Sequence, residues 1–412
     1  MLKTIRLTFL LLFLAVVPVY AAEAPAQSTQ ASQSTKSGQS ININAKSCLL
    51  MEANTGKILL EENSHQQLPP ASVTKVMTML LIYEALDQER IKWDQMVTTS
   101  AHAASMGGSQ IFLEPEEQQS VKDLVKSIVI ASANDAAVAM AEFIAGSEDA
   151  FVEMMNSKAQ ELGMKNTHFK NSCGLDAEGH LTTAYDIALM SQELITKYPK
   201  VFDLTKVRLD KIIHRTSKGE EEFGLTNTNR LIRNYPGTTG LKTGSTGKAL
   251  YCISATAERD NMSLIAVVMG APDPTTRFES AMKMFDYGYA NYAIMAQEPS
   301  GTHMGDVTIY KGKQEIAPVV IQKQQHVLVP KGKNITIENQ VKLMEDITAP
   351  VAKDTKAGEI IYNHEGTEVG RGDLVIKDEI EKAEVHDIMR RVFSRWLSKN
   401  ELRDQRQQPP ED

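Results

Sequence analysis

Pro70-Ala71-Ser72-Val73-Thr74-Lys75 places a hydroxyl and an amine one helical turn apart. The prolines end an extended segment, and apolar residues follow at helical spacing as far as Leu86. This pattern predicts a helix over 72–86 that begins at Ser72 and carries Ser72 and Lys75 on one face. Such a lysine can act as a base only if burial or a second cation lowers its pKa.

Two more short motifs follow in order along the chain. Ser132-Ala133-Asn134 lies where one predicted helix ends and another begins, and Lys242-Thr243-Gly244 lies on a predicted strand. Lys242 supplies a second cation, and Gly244 leaves room for a substrate backbone at the strand edge. Each pattern alone also occurs by chance, for example at Ser280-Ala281-Met282-Lys283. The ordered set, with each motif in a suitable context, is much harder to explain as coincidence.

The order of elements around these motifs indicates an α/β fold. Predicted helices cover 72–86, 120–133, 136–143, 149–162, 183–197 and 275–290. Predicted strands cover 48–52, 57–61, 240–242, 250–257 and 263–269. A strand pair, a helical middle and then more strands favour one sheet whose first and last strands meet, with a helical lobe inserted. After about residue 297, short β-rich runs separated by Gly, Pro, Lys and Asn predict a small all-β domain.

The motif trio is typical of class A β-lactamases and penicillin-binding proteins. With Ala133 in the second motif, where β-lactamases usually carry Asp, the chain resembles the low-molecular-weight penicillin-binding proteins. These are the serine-type D-alanyl-D-alanine carboxypeptidases of bacterial cell walls. Three further segments are similar to that family: Gly174-Leu175-Asp176 with His180, Leu225-Thr226-Asn227-Thr228-Asn229 and Gly240-Leu241-Lys242-Thr243-Gly244. One departure is Thr239, where the family commonly has an acidic residue, and we expect it to adjust the strand without removing the chemistry.

The resemblance, which covers about residues 46–385, implies a serine β-lactamase/transpeptidase-like domain, with an antiparallel sheet flanked by helices. It also implies the reaction: removal of the terminal D-alanine from peptidoglycan stem peptides that end in D-Ala-D-Ala, with β-lactam antibiotics as covalent inhibitors. It assigns catalysis to Ser72, Lys75 and Ser132. It assigns substrate binding to Asn134, Lys242, Thr243, Gly244 and Ser245. Neither a cofactor nor a metal is expected, and His180 is equally well explained as a structural histidine.

By the same resemblance, Ser72 attacks the carbonyl between the two D-alanines while Lys75 accepts its proton. Ser132 relays a proton toward the leaving amine, and Lys242 sets its electrostatics. Asn134 would hold the substrate amide. Thr243 and Ser245 would contact the terminal carboxylate. The oxyanion hole would consist of backbone N–H groups, those of Ser72 and Ser245.

Composition and the chain ends indicate export. The net charge of −8 offers no basic surface for nucleic acid, and three cysteines (Cys48, Cys173 and Cys252) do not suggest a disulfide framework. Lys3, Arg6 and the apolar run that follows are typical of a signal peptide. We therefore expect the protein at the outer face of the cytoplasmic membrane or in the cell-wall space. The expected organisation is a signal peptide 1–21, flexible linker 22–45, carboxypeptidase domain 46–295, β-rich domain 296–379, amphipathic membrane-associating helix 380–399 and polar tail 400–412.

The expected terminal helix has an apolar stripe and a basic remainder. The apolar residues are Val385, Ile388, Met389, Val392, Phe393, Trp396 and Leu397. The basic residues are Arg390, Arg391, Arg395 and Lys399. A stripe of this kind more often packs into a core, but here it follows a small β domain that offers little core for it to join. Basic residues with a Trp suit a lipid headgroup layer, so we expect contact with a membrane surface.

Two other functions are compatible with the motifs. A class A β-lactamase would need a deacylating Glu in a Glu-x-x-Leu-Asn pattern between the second and third motifs, and the sequence has none there. A catalytically silent wall-binding or scaffolding protein could use the same fold. The presence of all four side chains, Ser72, Lys75, Ser132 and Lys242, argues against it.

Overall fold

The computed structural model describes residues 41–216, 219–332 and 335–405, with side chains described as far as Trp396. The expected signal peptide, most of the expected linker and the last residues of the expected tail lie outside the described residues. Ile41 to Ala45 belong to the expected linker. Ile43 is nevertheless buried in the core, so packing begins inside that range.

The secondary structure of the described residues is as follows. The strands are β1 Ser47–Glu52, β2 Ile58–Glu62, β3 Met96–Thr98, β4 Gln118–Ser120, β5 Leu209–Thr216, β6 Gly219–Thr226, β7 Thr238–Thr246, β8 Leu250–Arg259, β9 Met262–Ala271, β10 Tyr292–Ala296, β11 His303–Tyr310, β12 Ile316–Ile321, β13 His326–Pro330, β14 Glu338–Leu343, β15 Ile347–Thr348, β16 Lys356–His364 and β17 Thr367–Ile376. The α-helices are α1 Lys75–Asp87, α2 Ala101–Ala104, α3 Val121–Lys126, α4 Asn134–Ala145, α5 Glu148–Glu161, α6 Ala184–Lys197, α7 Phe202–Thr205, α8 Leu231–Asn234, α9 Pro274–Asn291 and α10 Val385–Gln405. Two 3₁₀ turns, Ala71–Thr74 and Pro199–Val201, and a π-helical turn, Ser127–Ala131, complete them.

A five-stranded antiparallel sheet carries the site, in the order β2-β1-β9-β8-β7. β1 pairs with β9 from Ser47 opposite Met269 to Glu52 opposite Leu264, so the first and last strands meet as the sequence predicts. Alternate residues point to opposite faces: Leu49 packs on the helical lobe, whereas Leu50 packs on α9. Both faces are therefore covered, and β7 forms one edge of the sheet.

Helix α1 runs through the centre of the helical lobe. Its residues are buried on almost every side, because it packs against α4, α5 and α6. The helix begins at Lys75, and Ser72 lies in the 3₁₀ turn before it, so the prediction of an α-helix starting at Ser72 was wrong by one turn. As a result, Lys75 enters the core from the first helical turn while Ser72 stays at the mouth of the site.

The region after α9 is all-β, as the sequence predicts. Six strands form a sheet in the order β14-β16-β17-β12-β11-β15, and β10 pairs with β13. Apolar side chains such as Val319, Ile360 and Leu374 form a separate core there. β10 lies just before the expected boundary at 296 and nevertheless pairs with this region.

Two parts of the chain differ from their predictions. The β5–β6 hairpin was not predicted; its exposed, charge-rich strands lack the apolar alternation that marks a half-buried strand. The C-terminal helix begins at Val385 rather than at 380 and continues to Gln405, into the expected polar tail. Residues 380–384 instead run along the β-rich region, with Ile380 buried and paired with Val351.

A close backbone approach fixes the turn that holds Ser72. Gly174 has φ +88°, and a Cβ there would lie 1.9 Å from the carbonyl oxygen of Ala71 and 2.9 Å from the Ser72 nitrogen. Only glycine allows both this conformation and this contact. The Gly174 segment therefore lies directly against the turn.

Replacing Gly174 by alanine should destabilise the protein strongly, because the added methyl meets backbone that cannot move away. Gly163→Ala is the matched control: Gly163 has φ +74° but nothing within 4 Å of its Cβ position. The control should lose about 1–2 kcal/mol of unfolding free energy from its backbone conformation alone. G174A should lose about 1–3 kcal/mol more from overpacking. Urea denaturation measures both, and equal losses would contradict the close approach.

Candidate active site

Ser72 and Lys75 face each other at the mouth of the cleft between the sheet and the helical lobe. The Lys75 Nζ lies 3.3 Å from the Ser72 Oγ. Nζ also donates hydrogen bonds to the Asn134 Oδ1 at 2.5 Å and to the carbonyl oxygen of Cys173 at 2.7 Å. Three segments far apart in sequence thus converge on one amine.

Lys75 is fully buried, and burial lowers the pKa of its ammonium from 10.5 to about 8. Nearby Cys173 and Asp135 act weakly in the opposite direction. A neutral amine has two N–H bonds and one lone pair. The two shorter contacts, to Asn134 and Cys173, can take both hydrogens and leave the lone pair facing Ser72. The geometry therefore suits proton acceptance from the Ser72 hydroxyl.

Ser132 and Lys242 form a second hydroxyl–amine pair. The Lys242 Nζ donates to the Ser132 Oγ at 2.8 Å and to the carbonyl oxygen of Thr243 at 2.7 Å. Burial, followed by the charges of Lys75 and Arg277, holds the pKa of Lys242 well below its usual value. Ser132 ends the π-helical turn with φ 64°, a conformation that non-glycine residues seldom adopt. This backbone places its hydroxyl at Lys242.

Asn134 begins α4 and is held by the loop before it. Its backbone N–H donates to the Ser109 carbonyl at 2.7 Å, and its Nδ2 donates to the Gly107 carbonyl at 2.6 Å. Since its Oδ1 accepts from Lys75, both ends of the side-chain amide have protein partners. The family resemblance assigns Asn134 to holding the substrate amide, and this stays a prediction; in the structure its side-chain oxygen binds Lys75.

The end of β7 forms the opposite wall. A Cβ on Gly244 would lie 2.7 Å from the Ser72 nitrogen, so the strand packs directly on the turn that holds Ser72. The Thr243 Oγ1 donates to the Thr228 Oγ1 at 2.7 Å, and Ser245 is exposed. All eight residues expected from the sequence thus lie at the start of α1, at the start of α4 or on β7.

Three contributors to the site were not foreseen. Arg277, in the first turns of α9, donates to the Gly244 carbonyl at 3.0 Å and is almost fully buried, which lowers its pKa to about 10. A lone cation on the apolar face of a predicted helix was the available signal. The Asn171 Oδ1 accepts the Gly174 N–H at 2.7 Å and shapes the turn that presents the Cys173 carbonyl. Sequence alone offers no signal for a backbone carbonyl such as that of Cys173.

His180 is a structural residue of the layer behind Lys75. Its Nδ1 accepts the Lys170 N–H at 2.9 Å, so its Nε2 carries the hydrogen and donates to the Thr74 Oγ1, also at 2.9 Å. Burial lowers the pKa of the imidazole to about 4, with a smaller contribution from His168. The ring is therefore neutral and fixes the residue before Lys75.

Thr239, which departs from the family pattern, is buried in the sheet. Its Oγ1 donates to the Thr256 Oγ1 at 2.7 Å, and its carbonyl accepts from the Thr205 Oγ1 at 2.6 Å. Two neutral hydroxyls thus anchor β7 just before the motif. No charge is needed for the strand to reach Ser72.

Comparison with known proteins identifies the family. Residues 30–273 match the D-alanyl-D-alanine carboxypeptidase family of serine peptidases, and residues 299–382 match the C-terminal domain of penicillin-binding protein 5. The chain is 43% identical to D-alanyl-D-alanine carboxypeptidase DacF of Bacillus subtilis, over 90% of this chain and 95% of that protein. The chain belongs to the D-alanyl-D-alanine carboxypeptidase family.

Other members of this family are also similar. D-alanyl-D-alanine carboxypeptidase DacA of Escherichia coli is 32% identical over 86% of this chain and 89% of its own length. Penicillin-binding protein 5 of Haemophilus influenzae has the same fold, with a TM-score of 0.72 at 30% identity, covering 84% of this chain and all of that structure. These comparisons confirm the family, the fold class and the serine carboxypeptidase activity predicted from the sequence.

Acylation by a fluorescent penicillin should rise with pH around a midpoint near 8. Lys75 must be neutral to accept a proton, and the fraction in that form grows as pH passes its lowered pKa. Lys75→Arg should acylate about 10²–10⁴-fold more slowly at every pH, because a guanidinium stays charged. Lys158→Arg, which changes an ion pair with Glu84, is the control and should match the wild type. A flat pH profile, or acylation retained in K75R, would point to another base.

Proposed function

We propose that this carboxypeptidase removes the terminal D-alanine of peptidoglycan stem pentapeptides through an acyl-enzyme on Ser72, and so limits cross-linking. The observation that carries the proposal is the buried Lys75 amine, held 3.3 Å from the Ser72 hydroxyl by two fixed acceptors. With a pKa of about 8, roughly a tenth of this amine is neutral at pH 7. That fraction is ready to accept the serine proton.

In the first step, the Ser72 Oγ bonds to the carbonyl carbon of the penultimate D-alanine while its proton passes to the Lys75 Nζ. The carbonyl oxygen becomes an oxyanion. Backbone N–H groups at Ser72 and at the end of β7, by Ser245, would stabilise it, since fixed donors act most strongly where charge develops. The close packing of Gly244 on the Ser72 turn brings these two segments together.

In the second step, the bond between this carbon and the leaving nitrogen breaks. The departing amine needs a proton, and the one taken from Ser72 is available on Lys75. Ser132 would relay it: its Oγ accepts from Lys242, so its own hydrogen can pass to the leaving nitrogen while the oxygen takes up the proton from Lys75. Free D-alanine then departs, and Ser72 holds an ester.

Substrate selection relies on the terminal carboxylate. Arg277 donates to the Gly244 carbonyl and gives the end of β7 a positive field. Thr243 and Ser245 would bind the carboxylate directly. Finally, water attacks the ester carbon, and the released Ser72 oxygen regains a proton through Lys75.

β-Lactams would acylate the same hydroxyl. A class A β-lactamase also holds a carboxylate for fast deacylation. In the part of the chain that the structure describes, the hydrogen bonds of the Lys75 amine go to a hydroxyl, an amide and a backbone carbonyl, and the Cys173 segment contributes the last of these. No carboxylate is among these hydrogen-bond partners of Lys75, and this favours a carboxypeptidase that β-lactams inhibit over a β-lactamase.

Protein lacking residues 1–21 should form one covalent adduct with benzylpenicillin, located on Ser72 by peptide mapping and mass spectrometry. Ser72→Ala should abolish the adduct without changing the unfolding transition, because this half-buried hydroxyl is not part of the core. Ser157→Ala, which removes an exposed hydroxyl on α5, is the control and should keep the adduct. An adduct on Ser245 or Ser280 would refute the assignment.

We also propose that the protein works outside the cytoplasm and binds the outer face of the cytoplasmic membrane through α10. Six apolar side chains of this helix are between 48% and 74% exposed: Val385, Ile388, Met389, Val392, Phe393 and Trp396. The expected apolar side chain of Leu397 and the basic one of Lys399 lie outside the described residues. No helix among the described residues is long and apolar enough to span a bilayer.

The basic residues of α10 do not all point away from the protein. Arg391 and Arg395 form ion pairs with Glu315, and Arg391 also donates to the Gly312 carbonyl at 2.8 Å. These contacts dock the helix on the β-rich region by its polar side. The apolar stripe thereby stays uncovered, as membrane binding requires, whereas the expectation that both arginines face lipid headgroups conflicts with these contacts.

Truncation after Glu384 should release the protein from liposomes that contain anionic lipid. Each apolar side chain withdrawn from water contributes about 1.5–3 kcal/mol, and six are lost together. A cut after Asp378 is unsuitable, because it would also remove the buried Ile380. Hydrolysis of a soluble D-Ala-D-Ala peptide should be unchanged. Full-length F393E/W396E should behave like the truncation in sedimentation with vesicles; equal binding with and without the helix would refute the proposal.

A further inference from the structure

Phe112 combines two features that are uncommon for an aromatic residue. Its side chain is 66% exposed, and its backbone has φ 61°, in the left-handed region. A bulky residue in this conformation is strained, and such strain persists only where the surroundings impose it. Outliers of this kind cluster at ligand-binding sites.

Asp135 imposes the conformation of Phe112. Its buried carboxylate accepts the N–H of Ile111 at 3.1 Å and the N–H of Leu113 at 3.1 Å, on either side of Phe112. The side chains of Ile111 and Leu113 are both buried. With its two neighbours fixed inward, the Phe112 ring has to point outward.

The loop that carries Phe112 is part of the active site. Its Gly107 and Ser109 carbonyls bind Asn134, the residue that orients Lys75. Phe112 is the third residue after Ser109, and three residues span at most about 10–11 Å. Phe112 therefore lies on the rim of the cleft, within the length of a few residues of an extended peptide.

The β5–β6 hairpin supports the ring from one side. Phe223 meets Phe112 edge to face with centroids 6.0 Å apart, and His214 packs on Phe223 at 5.5 Å. The His214 Nδ1 lies 2.6 Å from the Glu117 Oε1, which ties the hairpin to the base of the same loop. The ring is thus braced by aromatic contacts, while most of its surface remains open.

We propose that Phe112 is a specificity-determining residue that contacts the side chain of the substrate residue preceding D-Ala-D-Ala. The inference rests on the proposed carboxypeptidase function. Both D-alanines have only a methyl side chain, so the first side chain long enough to reach a rim residue belongs to the third residue from the end. An exposed aromatic face suits an aliphatic stem, such as that of a diamino acid.

Two soluble peptides distinguish recognition of this side chain from a loss of activity on every substrate. The probes are Nα,Nε-diacetyl-L-Lys-D-Ala-D-Ala, which has the aliphatic side chain, and Nα-acetyl-Gly-D-Ala-D-Ala, which lacks it. F112A should lower kcat/KM for the lysyl peptide about tenfold, the scale of one apolar side-chain contact. For the glycyl peptide, the same variant should stay within about twofold of the wild type.

F112G provides a second, independent variant. Glycine adopts a positive φ without strain, so F112G should raise the midpoint of thermal unfolding while losing the same selectivity as F112A. Replacing a residue that is needed only for structure should lower stability, so a rise in stability together with a loss of selectivity indicates a substrate contact. Ile316→Ala, which removes a comparably exposed side chain from the β-rich region, is the control and should leave both peptides unaffected.

The outcomes are distinguishable. A wild-type protein that hydrolyses both peptides, with F112A and F112G unchanged in their preference, overturns the role of Phe112 alone. Equal losses on the two peptides also overturn it, because the side chain is then not what Phe112 contacts. A wild-type protein that releases D-alanine from neither peptide overturns the proposed function, and this inference with it.

Discussion

The burial of the Lys75 amine is the interaction on which the rest of the site depends. Removing an ammonium from water costs free energy unless it has hydrogen-bond partners. Here the partners are Ser72, Asn134 at the start of α4 and the Cys173 carbonyl. Bringing these segments together requires α1 to run through the middle of the lobe. The same burial lowers the pKa of Lys75 to about 8. One constraint therefore affects both the packing of the lobe and the protonation of this amine.

A second buried lysine, Lys242, is affected by the first. The charge of Lys75 helps to lower the pKa of Lys242, after burial, and Lys242 in turn holds Ser132. Each lysine is therefore matched to one serine hydroxyl and fixed by further oxygen acceptors. Proton uptake and proton delivery can then be handled by separate pairs in one cleft.

Three strained backbone positions lie at or near the site. Ala71, Phe112 and Ser132 are non-glycine residues with φ between 50° and 64°. Each lies beside a contact that holds it: Gly174 against Ala71, Asp135 around Phe112 and Lys242 on Ser132. The rigid sheet and lobe hold these conformations where chemistry needs them. By contrast, the distant α10 is held by exposed ion pairs to Glu315.

The sequence by itself determined the three motifs, the meeting of β1 and β9 and the all-β region, because hydrophobic periodicity and short-range spacing are local properties. It did not reveal that Ser72 precedes the α-helix, that α10 begins at Val385, or that β5 and β6 form a hairpin, since boundaries and exposed strands depend on packing. Only the tertiary structure decided what Asn134 contacts, and that Arg277 and the Cys173 carbonyl join the site. Those residues are far apart in the chain, and a backbone carbonyl carries no signature in its residue type.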